Sequence, residues 1–82
     1  MKSENDLLID FIRKISRKKN IELTKTTKLF KNKVLDSMNI LDLIGYVENK
    51  IRRKLDDNEI SMKNFQSAKS IIGAFFNGKR NN

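Results

Sequence analysis

Eighty-two residues make one domain near the lower size limit for folding without staples, and the chain has no cysteine, histidine or proline. A disulfide framework and a Cys/His metal cluster are therefore excluded, and stability must come from helix packing. The net charge of +8, from 18 Lys and Arg against 10 Asp and Glu, favours anionic partners in general, though a lysine-rich solvated surface accounts for such a number more often.

Scarce glycine and absent proline favour an all-α fold over a sheet protein, which needs more turn residues. No segment is apolar and long enough to span a bilayer. The start, Met1-Lys2-Ser3-Glu4-Asn5-Asp6, lacks the apolar run and cleavage site of a signal peptide, so a cytoplasmic monomer is expected.

A first helix is predicted over about 3–18. Ser3 caps it, with Asp6 three residues on, and Leu7, Leu8, Phe11, Ile12 and Ile15 share one face. Lys18-Lys19-Asn20 closes it with cations at the negative end of the dipole. A long connection, 19–36, shows no sustained period; Ile21, Leu23, Leu29, Phe30, Val34 and Leu35 are its expected anchors. The second helix is predicted to start at Ser37 and run to about 54. At 100° per residue Ile40, Leu43, Ile44, Val47 and Ile51 form its core stripe. Met38, Leu41 and Gly45 lie off that stripe, which leaves an apolar patch beside Ser37. A short helix is expected at 61–65. Ser67 caps a last helix, 67–77, with Ala68, Ile71, Ile72, Phe75 and Phe76 inward; Asn77-Gly78 stops it, and 78–82 is a tail. The result is a small four-helix bundle, three main helices plus one short, in a single domain spanning 1–82.

Asp36-Ser37-Met38 carries the chemistry. An isolated Asp-Ser pair is more often just a helix cap. Its flanks change the reading: the pair follows a long irregular connection, opens an amphipathic helix, and is followed by an apolar residue with acids at Asp42 and Glu48. With Phe65-x-Ser67-x-x-x-Ile71 near the end, residues 30–76 resemble a stand-alone acyl carrier protein of the phosphopantetheine-binding family. The spacing and the Asp-Ser-Met variant are closer to free-standing and D-alanyl (aminoacyl) carriers than to the housekeeping fatty-acid carrier.

The resemblance implies that Ser37 accepts a 4'-phosphopantetheine arm from coenzyme A, delivered by a separate phosphopantetheinyl transferase. It implies that Asp36 helps the transferase recognise the site and place its magnesium. Met38 and Leu41 would be the apolar part of a docking surface for loading and transfer enzymes, with Asp42 and Glu48 as charge at its edge. The chain would hold acyl or aminoacyl intermediates as thioesters, and fatty-acid, polyketide and nonribosomal-peptide pathways all stay open. A helix N-terminus suits the phosphodiester through its dipole and N–H groups.

The sequence departs from the family in charge. Carriers of this kind are acidic, whereas Lys50, Arg52, Arg53, Lys54 and Lys63 stand near the motif here, Asn39 replaces a frequent acid, and Gly45 replaces a larger apolar residue. The expected partner face is correspondingly less basic, either acidic or apolar. Catalysis by the chain itself is disfavoured, since the usual general bases and thiol nucleophiles are missing and no metal site is predicted. A small basic nucleic-acid-binding protein is the rival, but its cations are scattered instead of concentrated on one recognition helix. A carrier fold kept unmodified as an interaction module is a third reading, set back by the intact Asp36-Ser37.

Overall fold

In the computed structural model, residues 3–16, 18 and 22–76 are described. Among them the chain forms α1 (Glu4–Ile15), α2 (Ile40–Ile51), the single turn α3 (Met62–Phe65) and α4 (Ala68–Ile71), which widens into a π-helical turn over Ile72–Phe76. No strand occurs among the described residues, so the all-α, four-helix architecture is as expected. No helix among them is long and apolar enough to cross a membrane.

α1 starts where the sequence places it: the Asp6 N–H donates to Ser3 Oγ at 3.2 Å. Leu8 and Ile12 are fully buried, and the Phe11 ring stacks on Tyr46 with centroids 4.4 Å apart, which fixes α1 against α2. The helix ends earlier than predicted. Ser16 turns to extended backbone (φ −66°, ψ 141°), and its buried hydroxyl donates to Val34 O at 2.8 Å. Lys19, Asn20, Ile21, the Asn77-Gly78 stop and the 78–82 tail lie outside the described residues.

The connection has no period because it is built from turns. Thr24, Thr26 and Thr27 close one on themselves, with the Thr24 N–H donating to Thr27 Oγ1 at 2.9 Å. Leu23, Leu29, Val34 and Leu35 are buried, as expected of its anchors. Leu29 also donates its N–H to Gln66 O at 2.8 Å, and the Lys69 N–H donates to Lys25 O at 2.7 Å. These bonds lay the connection across the α3–α4 junction, where it needs only a few pegs to hold.

α2 buries Leu43 and Val47 completely and Ile40, Ile44 and Ile51 in part, the stripe read from the sequence. Each fully buried aliphatic side chain contributes roughly 1.5–3 kcal/mol. The helix stops at Ile51, three residues short of expectation, because Arg52 adopts the left-handed conformation (φ 63°, ψ 39°) and donates its N–H to Glu48 O at 2.8 Å. That position normally falls to glycine.

Beyond it, Arg53 grips Glu59 with two bonds, Nη1 to Oε1 at 3.0 Å and Nη2 to Oε2 at 2.8 Å, and the Asp56 N–H donates to the same Oε1 at 2.9 Å. The Arg53 bond and then the Asp56 N–H hold the Glu59 carboxyl down at about 2, from an ordinary 4.5. A carboxyl depressed in the folded chain stabilises above its unfolded pKa, and that contribution disappears as pH falls through the folded one. Urea unfolding of the parent and Glu59→Gln should therefore show a constant gap above about pH 4.5 that closes toward about pH 2.

Ser61 and Ser67 cap the last two α-helices, accepting from the N–H groups of Asn64 and Ser70 at 3.3 and 3.2 Å. Phe65, Ala68 and Ile71 are buried, and the Phe65 and Phe75 rings lie 5.4 Å apart. Ile72, Phe75 and Phe76 are partly buried against the same core, from the π-helical turn that the sequence pattern did not distinguish from ordinary helix.

Candidate functional site

Ser37 does not open α2, contrary to expectation; it sits in a capped turn just before it. Asp36 Oδ1 accepts from the N–H groups of Met38 at 2.8 Å and Asn39 at 3.3 Å, while the Asp36 N–H donates to Asn39 Oδ1 at 2.8 Å. This is the reciprocal logic of a capping box with asparagine in the place of glutamate. The Ile40 N–H then donates to Asp36 O, at 3.2 Å, and α2 proceeds. Asp36 is thus the cap, and Ser37 is the exposed first residue of the turn it organises.

The turn is stitched to the rest of the fold by Asn39, which is only 7% exposed and donates Nδ2–H to Ile15 O at 2.7 Å. Ser16, the next residue, holds Val34 two positions before Asp36. One point where α1 ends therefore fixes the chain on both sides of Asp36. Sequence reading missed Asn39, taking it for a departure from an acidic pattern. The usable signal was its spacing, three residues after a capping Asp. The N–H groups of Met38, Asn39 and Ile40 are all taken by Asp36. Of the two attractions expected of the helix start, the dipole is therefore available to a phosphate, and these donors are not.

Ser37 lies on the lip of a cleft of about 290 Å3. Phe30, Ile40, Ile60, Met62 and Phe65 wall it, Ser61 is its other hydroxyl, and no charged side chain lines it. Its volume is at the bottom of the ~300–1,000 Å3 range of small-molecule sites, enough for part of an arm or a short group. Phe30, one of the expected anchors, packs partly buried against the core and also walls this cleft. Ile60 and Met62 were not singled out at all, because they reach Ser37 only through tertiary folding.

Met38 and Leu41 are 68% and 71% exposed, and Met62 is 61% exposed at the cleft, so apolar surface surrounds the hydroxyl. Asp42 is exposed in the first turn of α2. Glu48 departs from the role expected for it: its Oε2 accepts the Leu55 N–H at 2.9 Å, and Lys54 Nζ lies 3.9 Å from Oε1. That carboxylate holds the loop after α2. Among the described residues no three acidic side chains gather as a ready cation site, so a metal at Asp36 would need ligands from elsewhere.

No protein-family profile and no curated protein matches the chain. Among solved structures it is similar to one chain in the crystal structure of the Bradyrhizobium japonicum glycine:carrier protein ligase complexed with glycylated carrier protein. The TM-score is 0.68 at 23% identity, over 88% of this chain and 99% of that one. The match takes in nearly the whole of that chain, and what the likeness establishes is a shared helical fold.

Proposed function

We propose that this chain is a carrier protein in which Ser37 Oγ bears a 4'-phosphopantetheine arm that holds cargo as a thioester. The observation that carries the reading is the placement of Ser37: an exposed hydroxyl on a pinned turn, at the lip of an apolar cleft and beside exposed Met38 and Leu41. These residues fit the group. The hydroxyl is open to an incoming enzyme, the dipole of α2 favours the phosphodiester, and the uncharged cleft can shelter an apolar part of the arm. When bound, the arm supplies the thiol that a cysteine-free chain lacks.

The chain holds and presents and does not catalyse. In this reading a separate transferase takes the Ser37 proton, since the chain has no histidine and the neighbouring Asp36 carboxylate is engaged in capping the turn. The partners are this transferase and the enzymes that load and unload the arm, in the cytoplasm. Both acyl and aminoacyl groups could be carried in this way. The short cleft and the glycylated carrier in the complex of similar fold support the aminoacyl version. Intact-mass measurement after incubation with coenzyme A and a promiscuous transferase tests the reading, and one arm per chain is the expected result.

Asp36 has two separable roles in this picture. Its Oδ1 caps the turn, which an asparagine does equally well; its charge is what a transferase would sense. Asp36→Asn, compared with the parent under conditions where both are fully folded, should slow arm attachment by about tenfold, a typical loss for one charged contact. Equal rates of attachment would reduce Asp36 to a cap.

A further inference from the structure

The connection between α1 and α2 gathers cations at a place where its own fold does not call for them. Residues 29–34 close as a Schellman-type turn, in which the Lys33 N–H donates to Phe30 O at 3.1 Å and the Val34 N–H to Leu29 O at 2.8 Å. Lys33 stands at the left-handed position of that turn, φ 60°, which normally falls to glycine. The buried Ser16 hydroxyl then draws two segments together: it donates to Val34 O at 2.8 Å and accepts the Lys18 N–H at 3.1 Å. Lys18 from the end of α1, with Lys31 and Lys33 from the turn, thereby lines one cleft of about 410 Å3, together with Glu22, Thr27 and Asn32. All three lysines are exposed, and among the described residues no ion pair engages any of them. Three cations against one carboxylate leave the cleft positive, and like charges lining one hollow concentrate its field for an incoming anion.

We propose that this cleft binds a small organic polyphosphate, held by Lys18, Lys31 and Lys33. Nothing in the proposal uses Ser37, so it is independent of the carrier reading. Lysine ammonium groups hold phosphate oxygens as mobile point charges, and a multiply charged anion balances the surplus of positive charge. A carboxylate would offset only one lysine. The volume lies within the ~300–1,000 Å3 of small-molecule sites, so the ligand extends past a single phosphate. Glu22, whose carboxylate can only accept, suits a hydroxyl on the organic part, and the Thr27 hydroxyl and Asn32 amide add neutral partners. A nucleic-acid strand fits less well: no aromatic side chain lines the cleft to stack a base. A bound polyphosphate would join the Lys18 segment to the turn that Ser16 already holds, and so stabilise the folded chain.

The test titrates the full chain with ATP, free of magnesium and at fixed ionic strength, by calorimetry and by thermal midpoint. Saturable one-to-one binding is expected, with a rise in the midpoint and competition by pyrophosphate. Lys18→Gln and Lys31→Gln should each weaken binding about threefold and together about tenfold, as for loss of exposed ionic contacts. Lys33→Gly should raise the midpoint of the unliganded chain and still weaken ATP about threefold, a combination that poor folding cannot produce. Lys63→Gln with Lys69→Gln removes as much charge from exposed lysines outside the cleft lining, and should leave affinity within about twofold of the parent. A loss in that control pair equal to the loss in the cleft pair would mean attraction to net charge alone and overturns the proposal. So does ATP that fails to saturate the chain by roughly 10 mM. Sedimentation with vesicles of anionic phospholipid and a mobility shift with a single-stranded oligonucleotide separate the other sources of phosphate. No binding to either, or binding that ATP displaces, is expected; binding that ATP leaves in place assigns the lysines to a membrane or a nucleic acid and sinks the small-molecule site.

Discussion

Replacing Ser37 by alanine should give a protein that folds like the parent and never gains a pantetheine arm. The fold should be indifferent because the bonds that shape the turn belong to Asp36 and Asn39, and the Ser37 side chain is exposed. A surface change of this kind stays within about 0.5 kcal/mol. The loss of arm should be complete, since the attachment uses one oxygen atom. Ser61 is the informative control, being the other hydroxyl that lines the cleft. Ser61→Ala removes the cap of α3 and should cost about 1 kcal/mol, yet the arm should still attach. Intact mass after transferase treatment, with urea unfolding of each variant, reads both effects. An arm found on Ser37→Ala, or none on the parent, would falsify the carrier assignment.

Asn39→Ala should be the most damaging substitution near the site, although it removes a small polar residue. It deprives Ile15 O and the Asp36 N–H of their partners, two part-buried bonds made by a side chain that is itself buried. Leaving a buried polar group unsatisfied costs roughly 1–3 kcal/mol, and with water in partial reach of both groups about 1–3 kcal/mol is expected for the pair. That is a large part of the ~5–15 kcal/mol by which small domains are stable. Met38→Ala, one residue earlier and exposed, should change stability by less than about 0.5 kcal/mol. Urea midpoints compare the two directly. If Asn39→Ala were as mild as Met38→Ala, the tie between the end of α1 and the Asp-Ser turn would carry no weight. Arm attachment should slow in the Asn39 variant even where it is fully folded, because the turn presenting Ser37 has lost its anchor.

Local pattern accounts for what could be read correctly in advance. Ser3 and Ser67 cap the helices that follow them because the bond spans only three residues. Leu43 and Val47 are buried and Leu41 exposed because a helix turns 100° per residue whatever surrounds it. The misjudged boundaries have equally definite causes. α1 was read too long because Ser16 leaves the helix for Val34, a partner 18 residues away. α2 was read too long at its end because nothing in the local pattern shows an arginine taking a left-handed cap. Glu48 was read as a docking charge because its partner, the Leu55 N–H, is reached only once the chain has turned back at Arg52.

The amino-acid order alone determined the helical class, the faces of α1 and α2, and the exposed hydroxyl worth watching, since each follows from spacing within a turn or two of chain. Folding decided the rest: that Asp36 and Asn39 clasp each other, that α1 ends against the same turn, and that Phe30, Ile60 and Met62 meet around Ser37. Those contacts join residues far apart in sequence, and only the closing of the chain on its shared core brings them within bonding distance.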